Sequence, residues 1–234
     1  MRKLFGLLLL LLAVSSCEED TNMIIHTPQR IHLYPGEQKQ IEAESSQKIQ
    51  YSSLNDYYAS VDENGLVTAR YVGDTQVRLS TSAVKEFIQV SVIPRYTLYV
   101  EPYYEFPSTR YAVEKMYGEP FKEEDNCLVY ETLDVEASKY FYFCFDDGDN
   151  LLASVATITE GNEEELGKFL AERYVTVNQE EFIYRNTLEV TDETVEIRSF
   201  YSDKYGSRVV VYAPYGTDFD TFKTFAEPLK YCKK

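Results

Sequence analysis

The stretch "YSSLNDYYASVDENGLVTARYVGDTQVRLS", residues 51–80, decides the fold of the N-terminal part. Apolar residues recur at alternate positions in short runs, Ala59/Val61 and Val77/Leu79. Turn signals separate the runs: Asp62-Glu63-Asn64-Gly65 and Gly73-Asp74. Successive side chains of a strand point to opposite faces, so this spacing buries one face and wets the other. Asn64-Gly65 is a strong hairpin signal because both residues tolerate positive φ. The alternation continues outward, through Ile31/Leu33, Ile41/Ala43 and Ile49/Tyr51 upstream and Val90/Val92 downstream, with Pro35-Gly36 as a further turn. Short strands with turns at this spacing predict an all-β sandwich over residues 27–94.

The same residues resemble the bacterial Ig-like group 2 (BIG2) domain. The likeness rests on Tyr51-Ser52-Ser53, Ala59-Ser60-Val61-Asp62, Asn64-Gly65-Leu66-Val67-Thr68-Ala69 and Gly73-Asp74-Thr75-Gln76-Val77. Tyr51 stands where that family usually has tryptophan, and Val72 where it has a lysine-like residue. A tyrosine can fill the same core slot. The resemblance implies a spacer or adhesive module of surface proteins rather than a catalyst, although a fold alone assigns no function.

Residues 95–234 read differently. Ser108 is placed to cap a helix over Thr109–Tyr117, with Ala112, Val113, Met116 and Tyr117 on one face and Gly118 at its end. Strand-like runs follow at Cys127–Thr132, Tyr140–Asp146 and Leu151–Ile158. Asn162-Glu163-Glu164-Glu165 then has the form of a capping box, before the apolar stripe Leu166, Phe169 and Leu170 and a cation, Arg173, near the helix end. Three more runs close the chain: Phe182–Thr187, Thr194–Tyr201 and Arg208–Ala213. Helix-strand-strand-strand thus occurs twice, about 55 residues apart, which predicts a duplicated unit and one antiparallel sheet with both helices on one face. This order is weakly similar to the tandem helix-plus-sheet proteins typified by β-lactamase inhibitory protein and small outer-membrane assembly lipoproteins. Tyr117-Gly118-Glu119-Pro120 and Phe145-Asp146-Asp147-Gly148 carry that likeness, and no functional residue transfers with it.

The N-terminus speaks to location. Arg2 and Lys3 precede an unbroken apolar run, Leu4 to Val14, too short for the roughly 20 residues that span a bilayer. Charge, length and the small residues Ser15 and Ser16 describe a secretory signal peptide over residues 1–16. Val14-Ser15-Ser16-Cys17 resembles the lipobox of bacterial lipoproteins, which implies lipid attachment at Cys17. Two or more acyl chains hold a protein stably on a membrane, where one does not. Glu18, Glu19 and Asp20 resemble the surface-export signal of lipoproteins in Bacteroides-like bacteria; they also suit a solvated spacer, and residues 17–26 are expected to be an acidic linker.

Removing residues 1–16 takes away two positive charges and no acids, which leaves 21 basic and 39 acidic groups, net −18. Such a balance argues against nucleic acid, whose binding rests on Lys and Arg neutralising phosphates. The expected partners are the membrane, through the lipid, and an unidentified protein or glycan. No cofactor is expected. His26 and His32 both lie in the Ig-like part, and no cysteine pair has ligand spacing, so no metal site is expected. "DDGDN", residues 146–150, lacks the EF-hand spacing, and Ser154 stands where the loop's glutamate belongs, so it reads as a hairpin turn. There is no nucleophile elbow, zincin motif or phosphate loop. No enzyme is expected. The favoured function is a non-catalytic binding or adhesion module; an inhibitor or assembly factor for another envelope protein comes next, and a glycan-active enzyme third.

Two expectations concern single residues. One antiparallel register pairs Cys127/Cys144, Leu128/Phe143 and Tyr130/Phe141, with a turn at 134–137. In it the cysteines either form a disulfide or pack as small apolar residues. Leu128, Tyr130, Phe141, Phe143 and Phe145 should then meet the helices, together with Phe182, Tyr184, Val195, Ile197, Val209 and Val211. Tyr140, Tyr142 and Tyr212 fall on the opposite face, with Val129, Ile183, Arg198 and Phe200. That face is either a contact surface or is covered by a tail helix near 218–226.

Overall fold

The computed structural model describes residues 22–132 and 137–223; Cys17, Cys232, Phe225 and most of the 134–137 turn lie outside them. An Ig-like β-sandwich is followed by an α+β domain.

Nine strands build the sandwich: β1 Met23–Ile25, β2 Arg30–Leu33, β3 Gln38–Gln40, β4 Ala43–Ser45, β5 Gln50–Ser53, β6 Ala59–Val61, β7 Leu66–Ala69, β8 Gly73–Ser80 and β9 Lys85–Val92. One sheet runs β2-β9-β8-β5 and the facing one β3-β7-β6, with β1-β4 as a short pair. The alternation read from residues 51–80 is the buried side of both sheets: Ala59, Val67, Val77, Leu79, Ile88 and Val90 are all fully enclosed. The β6–β7 hairpin turns on Asp62, whose Oδ1 accepts the amides of Asn64 at 2.9 Å and Leu66 at 2.8 Å. Gly65 alone takes positive φ, +84°, and a side chain there would strike the Tyr51 ring. The expected linker over 17–26 is shorter than its sequence suggested. Met23–Ile25 pair with Ala43–Ser45 because Ile25 and Met23 pack against the sandwich core.

The second domain has four strands per repeat, not three. Helix α1 Arg110–Tyr117 precedes β10 Lys122–Glu124, β11 Cys127–Glu131, β12 Tyr140–Phe145 and β13 Leu151–Ile158. Helix α2 Glu163–Ala171 precedes β14 Val175–Asn178, β15 Ile183–Arg185, β16 Val195–Ser202 and β17 Ser207–Pro214. The added strands are the two sheet edges, where nothing forces burial and no apolar period shows. Sheet order is β10-β11-β12-β13-β17-β16-β15-β14, antiparallel throughout, so the repeats join through their last strands. Val155 pairs with Val211 and Ala156 with Val210, partners 56 and 54 residues apart that bracket the repeat offset. A pseudo-twofold axis therefore passes between these pairs.

Three local expectations change. The N-cap of α1 is Thr109, whose hydroxyl accepts the Ala112 amide, rather than Ser108. Met116 is exposed; in so short a helix only Val113 and Tyr117, one turn apart, reach the sheet core. Asn162 makes no side-chain cap, because its amide donates to the Thr159 carbonyl instead.

Both sheet faces are buried. The helix side encloses Leu128, Phe143, Leu166, Phe169, Ile197 and Tyr212. The other side encloses Val129, Tyr142, Val155, Val209, Val211 and the cysteines, beneath Phe219 and Phe222 of a 3-10 turn. Ser202 Oγ anchors that turn by donating to the Phe222 carbonyl at 2.6 Å, and Arg198 stacks over Phe219.

Candidate functional site

The expected contact face is not open. Tyr142 is 8 % exposed and packs on Tyr205, and Tyr140 is half-buried beside it. Tyr212 lies on the helix side, because its cross-strand partner is Ile197; Val209 and Val211 take the side first assigned to it. Cys127 and Cys144 are directly opposed, with Cα atoms 4.0 Å apart, and joined by a disulfide. Phe145 donates to the Asn126 carbonyl, so the cysteines occupy the neighbouring pair position, where side chains approach most closely. "DDGDN" is a turn: Asp146 accepts from the Asn150 side-chain amide, from Asn150 N and from Gly148 N, which hold its carboxyl below the ordinary range. Glu163, Glu164 and Glu165 charge the first turn of α2, and Glu164 meets Lys168 one turn on. Cys17 lies outside the described residues.

The polar groups that converge do so where the two domains meet. Helix α2 ends at Ala171 and is capped by Glu172, a carboxylate at the negative end of the helix dipole. Local structure disfavours that charge; tertiary partners offset it. Glu172 Oε2 accepts the amide of Arg95 and Oε1 that of Tyr96, both at 3.0 Å, and Arg173 Nη1 donates to Oε1 at 2.8 Å. The Glu172 carbonyl accepts the amide of Val72 at 2.9 Å, and Tyr57 donates its hydroxyl to the Arg173 carbonyl at 2.6 Å. One helix terminus thus holds both the interdomain segment and the β5–β6 and β7–β8 loops of the sandwich.

Above this seam is a cleft of about 140 Å³, lined by Tyr57 and Tyr58 of the sandwich, Glu101 and Tyr104 of the connecting segment, and Arg173 and Tyr174 after α2. Gly73, at φ +146°, lets the Tyr58 ring lie against the backbone; a Cβ there would be 2.3 Å from it. Glu101 Oε1 accepts from Tyr174 at 2.5 Å and from Tyr212 at 3.1 Å. Tyr174 also meets the Tyr104 hydroxyl at 2.9 Å, and Tyr212 that of Tyr99 at 2.5 Å. Each phenol has one proton, so these outer contacts use the protons of the neighbours. Glu101 Oε2 accepts no hydrogen bond from the described residues; Arg173 Nε stands 3.6 Å away. Burial raises the Glu101 carboxyl above its ordinary range, and the contacts of Tyr174, Arg173 and Tyr212 offset only part of that. Burial pushes Tyr104 up to about 12 and Tyr57, Tyr174 and Tyr212 well up too, so these phenols stay protonated at neutral pH.

Sequence reasoning missed Glu101, Tyr104 and Tyr174. The only signal was aromatic density in Tyr96–Phe106, a segment without strand or helix period.

Residues 33–86 match the family model of the bacterial Ig-like domain, group 2. The matched span holds most of the sandwich core, though not Ile31, Ile88, Val90 or Val92, and the loops that carry Tyr57 and Tyr58, but not Glu101 or Arg173. No curated protein matches the chain. Among solved structures it is similar to surface layer protein SbsC. Domains 4–9 align at 10 % identity and a TM-score of 0.28, over 84 % of this chain and 27 % of that one. Domains 1–6 align at 10 % and 0.25, over 82 % and 22 %. Domains 5–6 align at 10 % and 0.25, over 84 % and 87 %. The chain spans about a quarter of the length of the first two, and residue roles do not carry over at such distance.

Proposed function

We propose that this is a lipid-anchored cell-surface binding protein, without a catalytic step of its own, in which the Ig-like domain is a fixed mount for the α+β domain. The observation that carries the reading is the seam. Glu172, Arg173 and Tyr57 bind the sandwich, the connecting segment and α2 in one hydrogen-bonded cluster, which suits a stalk that presents a domain at a set angle. The lipobox-like Val14–Cys17 and the acids after it support attachment through Cys17 at the outer membrane, with the folded part facing outward. The cleft argues against one reading only, a two-carboxylate glycan hydrolase. Hydrolysis of glycosidic bonds uses two carboxyl groups, whereas Glu172 is fully engaged with amides and Arg173, which leaves Glu101 alone. A second reading, an inhibitor or assembly factor for another envelope protein, rests on the tandem helix-plus-sheet order.

Fractionation tests the anchor: Cys17→Ser should move the protein from membranes to the soluble fraction. Protease treatment of intact cells should degrade the wild type if it faces outward. Membrane retention of the variant overturns the anchor; protection on intact cells overturns surface display.

A further inference from the structure

The seam cleft has a composition that a purely structural joint does not require. Four tyrosine rings, from Tyr57, Tyr58, Tyr104 and Tyr174, surround one carboxylate, and Glu101 Oε2 takes no hydrogen bond from the described residues. Tyr57 and Tyr104 each have one face stacked, on Tyr71 and Tyr212, at 4.7 and 4.9 Å between ring centres. Elsewhere the protein seats its own cations over rings: Arg95 over Tyr34, Lys168 over Tyr96, Arg198 over Phe219. None of the described cations sits over the four rings of the cleft. Arg173, the cation at its edge, stacks on Phe169 and donates to Glu172 and to the Phe169 carbonyl. Its charge is shared between Glu101, at 3.6 Å, and Glu172, at 2.8 Å, so the seam that includes the cleft has one more carboxylate than cation among these three residues.

Aromatic rings around a carboxylate attract a cation twice, through the negative ring faces and through the charge. The size suits a small group: a cavity of about 150 Å³ holds benzene, and the cleft offers about 140 Å³. We propose that this cleft is a binding site for a single organic ammonium group, primary or methylated, seated between the tyrosine rings with its charge toward Glu101 Oε2. A free quaternary amine and a lysine side chain share that chemistry. The proposal deepens the binding role argued above, but it stands or falls without the lipid anchor, because the cleft is titrated and the anchor is fractionated.

The test titrates the full chain, in a non-ionic detergent without a choline head group, with choline chloride and with N-acetyl-lysine methylamide. Binding is followed through the NMR signals of the tyrosine rings. The neutral isostere of choline, 3,3-dimethylbutan-1-ol, serves as control and should bind about tenfold more weakly or worse. Glu101→Gln should weaken the ammonium ligands by about tenfold or more, and Tyr58→Leu should weaken them as well. The tighter of choline and the lysine derivative identifies the source. Thermal unfolding of each variant shows whether it folds; the isostere comparison needs only the wild type. Equal binding of the isostere, or tyrosine signals that no ammonium compound shifts, overturns the proposal. So does a glycan that shifts the same rings while ammonium ligands leave them unmoved.

Discussion

Tyr57 of the Ig-like sandwich donates its hydroxyl to the backbone carbonyl of Arg173, 2.6 Å away across the domain boundary. Beside this contact, Glu172 holds the amides of Arg95 and Tyr96. Glu172→Ala would leave the amides of Arg95 and Tyr96 without their acceptor and a largely buried Arg173 without the nearer of its two carboxylates. Breaking a buried, hydrogen-bonded charge pair costs about 3 kcal/mol or more. The expected outcome in urea titrations is one transition for the wild type and, for the variant, loss of about that stability with two transitions as the domains uncouple. A variant that unfolds in one unshifted transition would show that the seam contributes nothing.

The Glu101 carboxyl gives the protein a pH dependence of definite sign. Its folded value is raised above the unfolded one, so the folded state holds the proton more tightly. The stability this contributes is complete below the unfolded value, near 4.5, and is lost as pH rises through the folded value. Glu101→Gln cannot titrate. Chemical denaturation of both proteins across that window should show a steeper fall with pH in the wild type; parallel curves would contradict the assignment.

Cys127 and Cys144 close a loop of 17 residues across adjacent strands. Opening it with Cys127→Ala and Cys144→Ala together should cost about 3 kcal/mol, the chain-entropy value for a loop of that length. Thiol labelling of the denatured but unreduced chain should modify Cys232 and neither of these two. Labelling of all three would mean that no disulfide forms.

Tyr142 separates a covered face from an open one. It is 8 % exposed and rests on Tyr205 under the Phe219–Phe222 turn. Truncating a buried ring costs about 3 kcal/mol or more. Tyr142→Ala should therefore lower the melting temperature by several degrees. An unchanged melting temperature would place the ring at the surface.

Which of these features could be read from residues alone follows from range. The sandwich was legible because alternation, the Asp62–Gly65 turn and the glycine of φ +84° are all local. So was the β11–β12 register, since one offset pairs three matching residues on each side. The face of Tyr212 was not. Every residue from Val209 to Ala213 is buried, so hydrophobicity cannot tell the two sides apart, and only the pairing with Ile197 does. The edge strands Lys122–Glu124 and Val175–Asn178 were silent because neither buries a full face. The cleft is assembled from residues more than 100 positions apart, such as Tyr57 and Arg173. Its local trace is the aromatic density of Tyr96–Phe106; the seam beside it has another in Glu172, a carboxylate at the wrong end of a helix, which marks a charge with a distant partner.

The central claim is that the Ig-like domain is a fixed mount and not a flexible tether. Backbone ¹⁵N relaxation of the full chain measures this directly, because rotational diffusion can be fitted for each domain separately. The account predicts one diffusion tensor for both domains, and two distinct tensors once Glu172→Ala and Tyr57→Phe are combined. Separate, faster tumbling of the Ig-like domain in the wild type would contradict it.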